Sequence, residues 1–192
     1  RYDDLKKHYD AKLDEFKSER EQMASEIKAI KDNTFDVIYV DPSRRHDSKG
    51  KVFFLEDCEP NIPKNLEYLL QRCTTLLVKT SPMLDISVAI KALENVAQIH
   101  IVALHNEVKE VLWTLRREHT KPPEIHTANI TKAGMQKFTF TWNTPAQLSL
   151  SAPLTYLYEP NASILKSGAF NHMCGAYKVL KLHKHSHLYT SQ

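Results

Sequence analysis

Phe35-Asp-Val-Ile-Tyr-Val-Asp-Pro-Ser-Arg-Arg45 is the stretch whose reading decides the fold. Phe35, Val37, Ile38, Tyr39 and Val40 form a nearly continuous apolar run, rich in β-branched and aromatic residues. Such a run predicts a strand buried on both faces. Pro42 has no N–H to give to a neighbouring strand and ends the ladder. Asp41, Ser43, Arg44 and Arg45 are then presented at the strand's carboxyl end, the edge where open α/β sheets bind their ligands.

Upstream, residues 1–33 contain neither Gly nor Pro and place apolar side chains at Tyr2, Tyr9, Leu13, Phe16, Met23, Ile27 and Ile30. Steps of three, four and seven predict a helix with one face on the sheet and its Lys and Glu outside. Asp32-Asn33-Thr34 is the turn into the strand. Downstream, His46–Lys51 is a polar loop. Glu56, Asp57 and Glu59 read as surface and capping residues, because no histidine stands at ligand spacing and no metal is expected.

The next elements follow by start and stop signals. Asn61 is an N-cap, with Pro63 in the first turn and Leu66, Leu69 and Leu70 facing inward. Thr74–Val78 predicts a second buried strand, ending at Lys79. Ser81 as N-cap with Pro82 at the first helical position predicts a helix whose inner face is Leu84, Val88, Leu93 and Val96, with Ala89 and Ala92 filling in. Gln98–Leu104 predicts a third strand, and Glu107–Arg117 a helix with Val108, Val111, Leu112 and Leu115 inward. Strand and helix thus alternate at the spacing of right-handed parallel crossovers, which predicts a sheet with helices on both faces. Glu124–Ile130 and Lys137–Trp142 alternate in polarity about Ala133-Gly134 and predict an antiparallel hairpin at the sheet edge.

The domain reading is 1–143 for this sheet, 144–153 for a linker with Pro145, Ser149, Ser151 and Pro153, and 154–192 for a small unit. In that unit Tyr156–Asn161 reads as a turn, Ala162–Phe170 as a short helix and Tyr177–Leu182 as a strand. His183, His185 and His187 are expected on one strand face. Leu188–Gln192 is expected to add no closing element. About 40 residues are marginal as a domain alone, so this unit reads as truncated.

At 192 residues, 42% hydrophobic and 26% charged, the chain is ordinary for a globular protein. It has no apolar run of membrane-spanning length and no secretory signal. It begins at Arg1, so a processed or excised piece is expected. Cys58, Cys73 and Cys174 are odd in number and far apart, which predicts reduced thiols in a cytoplasmic protein. The net charge of +3 is uneven: after Glu124 six lysines face the one acid Glu159. That surplus suits an anionic partner such as RNA, or is a solvated lysine face.

There are four glycines, Gly50, Gly134, Gly168 and Gly175. None follows a predicted strand and opens a helix, as a glycine-rich cofactor loop must. No GxGxxG, Walker or GxSxG motif occurs. Three parallel strands without a cofactor loop read as half of a doubly wound domain.

Val40-Asp-Pro-Ser-Arg-Arg45, followed by further βα units and a terminal hairpin, resembles the substrate edge of a class I S-adenosylmethionine-dependent methyltransferase. With Leu55-Glu-Asp-Cys-Glu-Pro60 and Tyr156-Leu-Tyr-Glu-Pro-Asn161, the chain over roughly 30–192 is similar to bacterial methyltransferase-like proteins, Bacteroidetes ones especially, that carry a THUMP-like module after the catalytic domain. The resemblance implies an α/β fold: the second half of a Rossmann-like sheet, parallel strands plus a terminal antiparallel hairpin, then a partial small α+β module. It implies methyl transfer from S-adenosyl-L-methionine, most plausibly to RNA. Asp41 would then lie beside donor and acceptor as an orienting group, and Pro42 would shape the floor of the cofactor site. Ser43, Arg44 and Arg45 would hold substrate, the arginines by forked hydrogen bonds to phosphate or carboxylate. Amino-methylating members have Pro-Pro and an aromatic after the aspartate, whereas Ser43 stands at the second proline here. Lys79 invites comparison with ribose-methylating enzymes, which place Asp and Lys on these two strands as a catalytic pair. Without the glycine-rich cradle, weak or no cofactor binding is expected of this chain alone. The alternative is a non-catalytic RNA-binding or interaction module on a methyltransferase-like fold.

Overall fold

The computed structural model describes residues 33–44 and 54–192, together with positions 6, 7, 10, 11, 14, 17, 18, 21, 25–28 and 30. Each of those earlier positions is helical, and Ile30 packs against the core. The remainder of the helix expected over 1–33, Arg45 and the loop that follows it lie outside the described residues.

Six strands make the main sheet: β1 (Phe35–Val40), β4 (Cys73–Thr80), β5 (Val96–Leu104), β6 (Glu107–Leu115), β7 (Glu124–Thr131) and β8 (Gly134–Thr141), in the order β1-β4-β6-β5-β7-β8. β1 pairs in parallel with β4, and β5 with β7. β6 runs antiparallel to both its neighbours, β4 and β5, and β8 antiparallel to β7. β1, β4, β5 and β7 therefore point one way and end at one edge. The fold is α/β on a mixed sheet.

The largest departure from the sequence reading is β6, expected as a helix over Glu107–Arg117. His105 and Asn106 both have positive φ, 50° and 65°, which is the two-residue turn whose twist suits a hairpin. The chain therefore reverses after β5 instead of entering a helix. β6 fills the slot between β4 and β5, and its Val111, Trp113 and Leu115 are fully buried. Trp113 Nε1 donates to Thr80 Oγ1 at 2.9 Å, so its one polar atom is satisfied in the core.

Sheet residues including Leu76, Val78, Ile99, Ile101, Trp113 and Ile125 share one face and one core cluster. On that face lie α1 (Ile62–Leu70) and α2 (Ile86–Ala92). α1 starts as expected: Asn61 Oδ1 accepts from Lys64 N–H at 2.9 Å, and Ile62, Leu66, Leu69 and Leu70 are buried. α2 starts four residues later than the Ser81-Pro82 reading. Its N-cap is Asp85, which accepts from Val88 N–H, while Ser81 Oγ closes a turn by accepting from Met83 N–H. Val88, expected inward, is exposed, and Ile86 is buried beside Ala89, which was expected there.

The opposite face is open among the described residues. Phe35, Val37 and Tyr39 are 43%, 52% and 55% exposed. β1 is thus buried on the face of Ile38 and Val40 rather than on both, and the described helices lie on one face of the sheet rather than two.

Residues 144–153 carry no helix or strand beyond a bridge from Leu150 to Lys181. After them come β9 (Tyr156–Tyr158), α3 (Ala162–Ser167), α4 (His172–Tyr177), β10 (Leu180–Lys181) and β11 (Tyr189–Ser191), with a small antiparallel sheet ordered β10-β11-β9. Tyr156–Tyr158 is a strand and not a turn. The strand expected over Tyr177–Leu182 shortens to two residues, and His183, His185 and His187 sit on the turns after it rather than on a strand face. Leu188–Gln192, expected to close nothing, contains the central strand of this sheet. The unit leans on the main sheet. Ala162 N–H donates to Asn106 Oδ1 at 2.7 Å, Lys166 Nζ to Leu84 O at 2.8 Å, and Phe138 and Phe140 of β8 pack against its Ile164 cluster.

Candidate functional site

The ladder between β1 and β4 sets the first part of the site. Val40 is in register with Val78, so the next residues, Asp41 and Lys79, stand side by side where the strands end. Lys79 Nζ lies 2.8 Å from Asp41 Oδ2. The ladder between β4 and β6 adds the second part. Lys79 pairs with Leu112, and Glu110 is two residues along β6 on the same face. Its Oε2 lies 3.4 Å from Lys79 Nζ. A bulge helps to aim it: Val102 opposes Glu110 but Ala103 opposes Val108, so Lys109 is the extra residue. A bulge bends its strand and re-aims the side chains beside it.

The cluster is one ammonium between two carboxylates. Lys79 has 28% of its side chain exposed, against 51% for Asp41 and 43% for Glu110. The hydrogen bond to Asp41, aided by both carboxylate charges, holds the lysine above its ordinary range despite partial burial. Lys79 is therefore an ammonium at neutral pH and no proton acceptor. It can donate to an oxygen that gains negative charge. The carboxylates fix the ammonium in place and can themselves accept from a hydroxyl or an amine.

The other expected site residues are placed as follows. Pro42 is half-buried directly after Asp41. Ser43 and Arg44 form the two-residue strand β2, which pairs antiparallel with β3 (Cys58–Glu59), Ser43 opposite Glu59 and Arg44 opposite Cys58. Arg45 lies outside the described residues. The fold thus brings Asp41 and Lys79 together and adds Glu110, which the helical reading of 107–117 hid. The signal for it was present: His105-Asn106 as a turn, then Val-Leu-Trp-Thr-Leu, a run of strand formers.

On the same open face, one strand further, His100 stacks on His126 with ring centroids 4.6 Å apart. His126 Nε2 is 2.9 Å from Glu124 Oε2, near enough for an ion pair when protonated but not aligned for a hydrogen bond. Burial, and then the neighbouring His126, push His100 below the ordinary histidine range. Among the described residues no group of three or more His, Cys, Asp or Glu is arranged to hold a metal ion, and no helix is long and apolar enough to cross a membrane. The three cysteines are free thiols.

Gly134 opens β8 after a hairpin turn at φ 127°, Gly168 ends α3 and Gly175 lies inside α4. None of the three sits between a strand and a following helix.

Comparison with known proteins bears on both parts of the chain. A family model described as a ferredoxin-like domain matches residues 156–192, the small unit. The chain is similar to the crystal structure of a "putative methyltransferase" from Porphyromonas gingivalis W83, with 36% sequence identity and a TM-score of 0.69. The match covers 81% of this chain and 39% of that one, so the chain spans about two fifths of that protein's length. No curated protein matches the chain.

Proposed function

We propose that this chain carries the acceptor side of an S-adenosylmethionine-dependent methyltransferase that acts on RNA in the cytoplasm. The observation that carries this reading is the Asp41–Lys79–Glu110 cluster at the carboxyl edge of the sheet. The likeness to the P. gingivalis structure supports methyl transfer, the lysine surplus after Glu124 supports an anionic substrate, and the free thiols suit a reducing compartment. The small unit is read as a THUMP-like RNA-binding module. Asp41 and Pro42 are the residues of this chain read as lying against the methyl donor, and this chain alone is expected to bind S-adenosylmethionine weakly or not at all.

The cluster favours a ribose hydroxyl as acceptor. A hydroxyl becomes a nucleophile only as its proton leaves, and its oxygen then gains charge. A lysine held as an ammonium stabilises that charge. Asp41 and Glu110 keep the ammonium in place, and one of these carboxylates accepts first the hydrogen bond of the incoming hydroxyl and then its proton. An amine acceptor has no such need of a fixed cation. Arg44 and Arg45, three and four residues after Asp41 in sequence, are read as holders of substrate phosphate.

The full-length protein is incubated with labelled S-adenosylmethionine and RNA, and the product is hydrolysed in alkali. A ribose methyl group protects its own linkage, so the label is expected in an undigested dinucleotide. Asp41→Ala is expected to reduce incorporation at least ~100-fold, in the range of a lost preorganised group. Label released wholly as mononucleotide would remove the ribose reading. Unchanged incorporation in Asp41→Ala would remove Asp41 from the site.

A further inference from the structure

A cavity of about 720 Å³ lies between the small unit and the ends of β5, β7 and β8. Its size falls within the range of small-molecule sites. It sits at the carboxyl end of β7, where Asn129 and its partner Gln136 face the side of the sheet opposite the Asp41–Lys79–Glu110 cluster.

Its polar wall is a chain of carboxamides whose orientation is fixed by backbone groups. Asn106 N–H donates to Asn129 Oδ1 at 2.9 Å, so the Asn129 amide nitrogen must turn toward Gln136. Ile164 N–H donates to Asn161 Oδ1, so the Asn161 amide nitrogen turns the same way. Gln136 Oε1 thus accepts from Asn129 Nδ2 at 2.9 Å and from Asn161 Nδ2 at 3.0 Å, which occupies both its lone pairs. The Gln136 NH2 group keeps its two donors for a ligand. Asn106 is held likewise: its Oδ1 accepts from Ala162 N–H, and its own NH2 is left over.

The rest of the lining is aromatic and apolar, with Ser191 and one acid. Tyr158 and Tyr177 are 43% and 52% exposed at the rim. Tyr189 is buried in the wall, its hydroxyl donating to Phe170 O at 2.6 Å, and burial pushes its pKa up to about 12. Glu159 is the one charged lining residue, and no Lys or Arg lines the cavity. That composition repels a phosphate. It suits a flat neutral ring that stacks on tyrosine, accepts from carboxamide NH2 groups and donates to a carboxylate. Among nucleobases, guanine combines a carbonyl acceptor with adjacent N–H donors on one edge, and adenine lacks the carbonyl.

We propose that this cavity binds an unpaired guanine of the RNA substrate, away from the nucleotide that receives the methyl group. This rests on the RNA reading above. It makes the small unit and the β7–β8 hairpin one composite reader, which single-stranded RNA recognition by stacking and edge hydrogen bonds requires.

The test titrates the chain with guanosine, adenosine and a short single-stranded RNA containing one guanine, for wild type, Gln136→Glu and Tyr177→Ala. Gln136 and Tyr177 are exposed, so both variants keep the fold. Guanosine is expected to bind at least ~10-fold tighter than adenosine and to compete with the RNA. Each substitution is expected to weaken guanosine and the RNA by ~10-fold or more, the loss typical of one stacked base or one edge contact. RNA binding that neither guanosine nor the substitutions affect would overturn the cavity proposal and leave the RNA reading intact. Guanosine binding sensitive to Gln136→Glu, with no binding of RNA, would support base recognition by the cavity and overturn the RNA reading. Absence of both overturns the cavity proposal.

Discussion

Glu110 shows what a single residue adds to the candidate site. Its carboxylate is 3.4 Å from Lys79 Nζ, against 2.8 Å for Asp41, so it is the looser of the two partners. All three side chains are partly solvated, and exposed ion pairs contribute about 0–1 kcal/mol to stability. Glu110→Gln is therefore expected to leave the urea midpoint nearly unchanged. In the full-length protein it is expected to lower the methyl-transfer rate by about 10-fold, the effect of weakening one electrostatic contact by ~1.4 kcal/mol. A fall in stability of several kcal/mol with an unaltered rate would make the residue structural. The raised pKa of Lys79 leaves its contribution fully present below the ordinary lysine value and lost only as pH rises through the raised one. Across neutral pH the cluster does not titrate through its lysine.

At the level of elements, the legible parts were those whose signal is local. β1 stood out because Phe35–Val40 ends at Pro42. α1 stood out because Asn61 and Pro63 mark its start, and the β7–β8 hairpin because two alternating runs flank Ala133-Gly134. β6 was illegible for a physical reason. Val108, Val111, Leu112 and Leu115 satisfy a helical stripe, yet Val108, Val111 and Leu115 share one strand face once Lys109 is bulged, with Leu112 on the other. What decides between them is tertiary: a slot between β4 and β5 that buries Trp113 completely. Trp113→Ala is expected to cost about 3–5 kcal/mol, the range for emptying a large aromatic from a core. Chemical denaturation measures it, and a loss below ~1 kcal/mol would mean that β6 is not held by that burial. The small unit was read poorly because its strands have two or three residues each. Tyr189–Ser191 becomes a strand only by pairing with partners about ten and thirty residues upstream.

For the whole molecule, the described residues form one mixed sheet with helices on one face, an opposite face that among them is open and ends in the charged cluster, and a small unit docked at the same edge. The sequence located Asp41 and Lys79 because each ends a readable strand. It located neither Glu110 nor the carboxamide cavity, since both arise from contacts between elements far apart in the chain. Stability should also depend on pH. His100 and His172 are both held below the ordinary histidine range by burial. The unfolded chain therefore binds protons more readily than the folded one just below pH 6.5, and stability falls as pH falls through that value. His100→Gln is expected to flatten the slope of the thermal midpoint between pH 7 and pH 5, and an unchanged slope would assign it elsewhere. The central claim, that the edge of this sheet is the acceptor side of a methyl-transfer site, is tested most directly by the single-turnover rate of Lys79→Met in the full-length protein at saturating donor and RNA. The expected result is a loss of at least ~100-fold in rate with RNA affinity within a few-fold of wild type. A rate equal to wild type, in a variant that binds RNA and donor normally, would contradict the account.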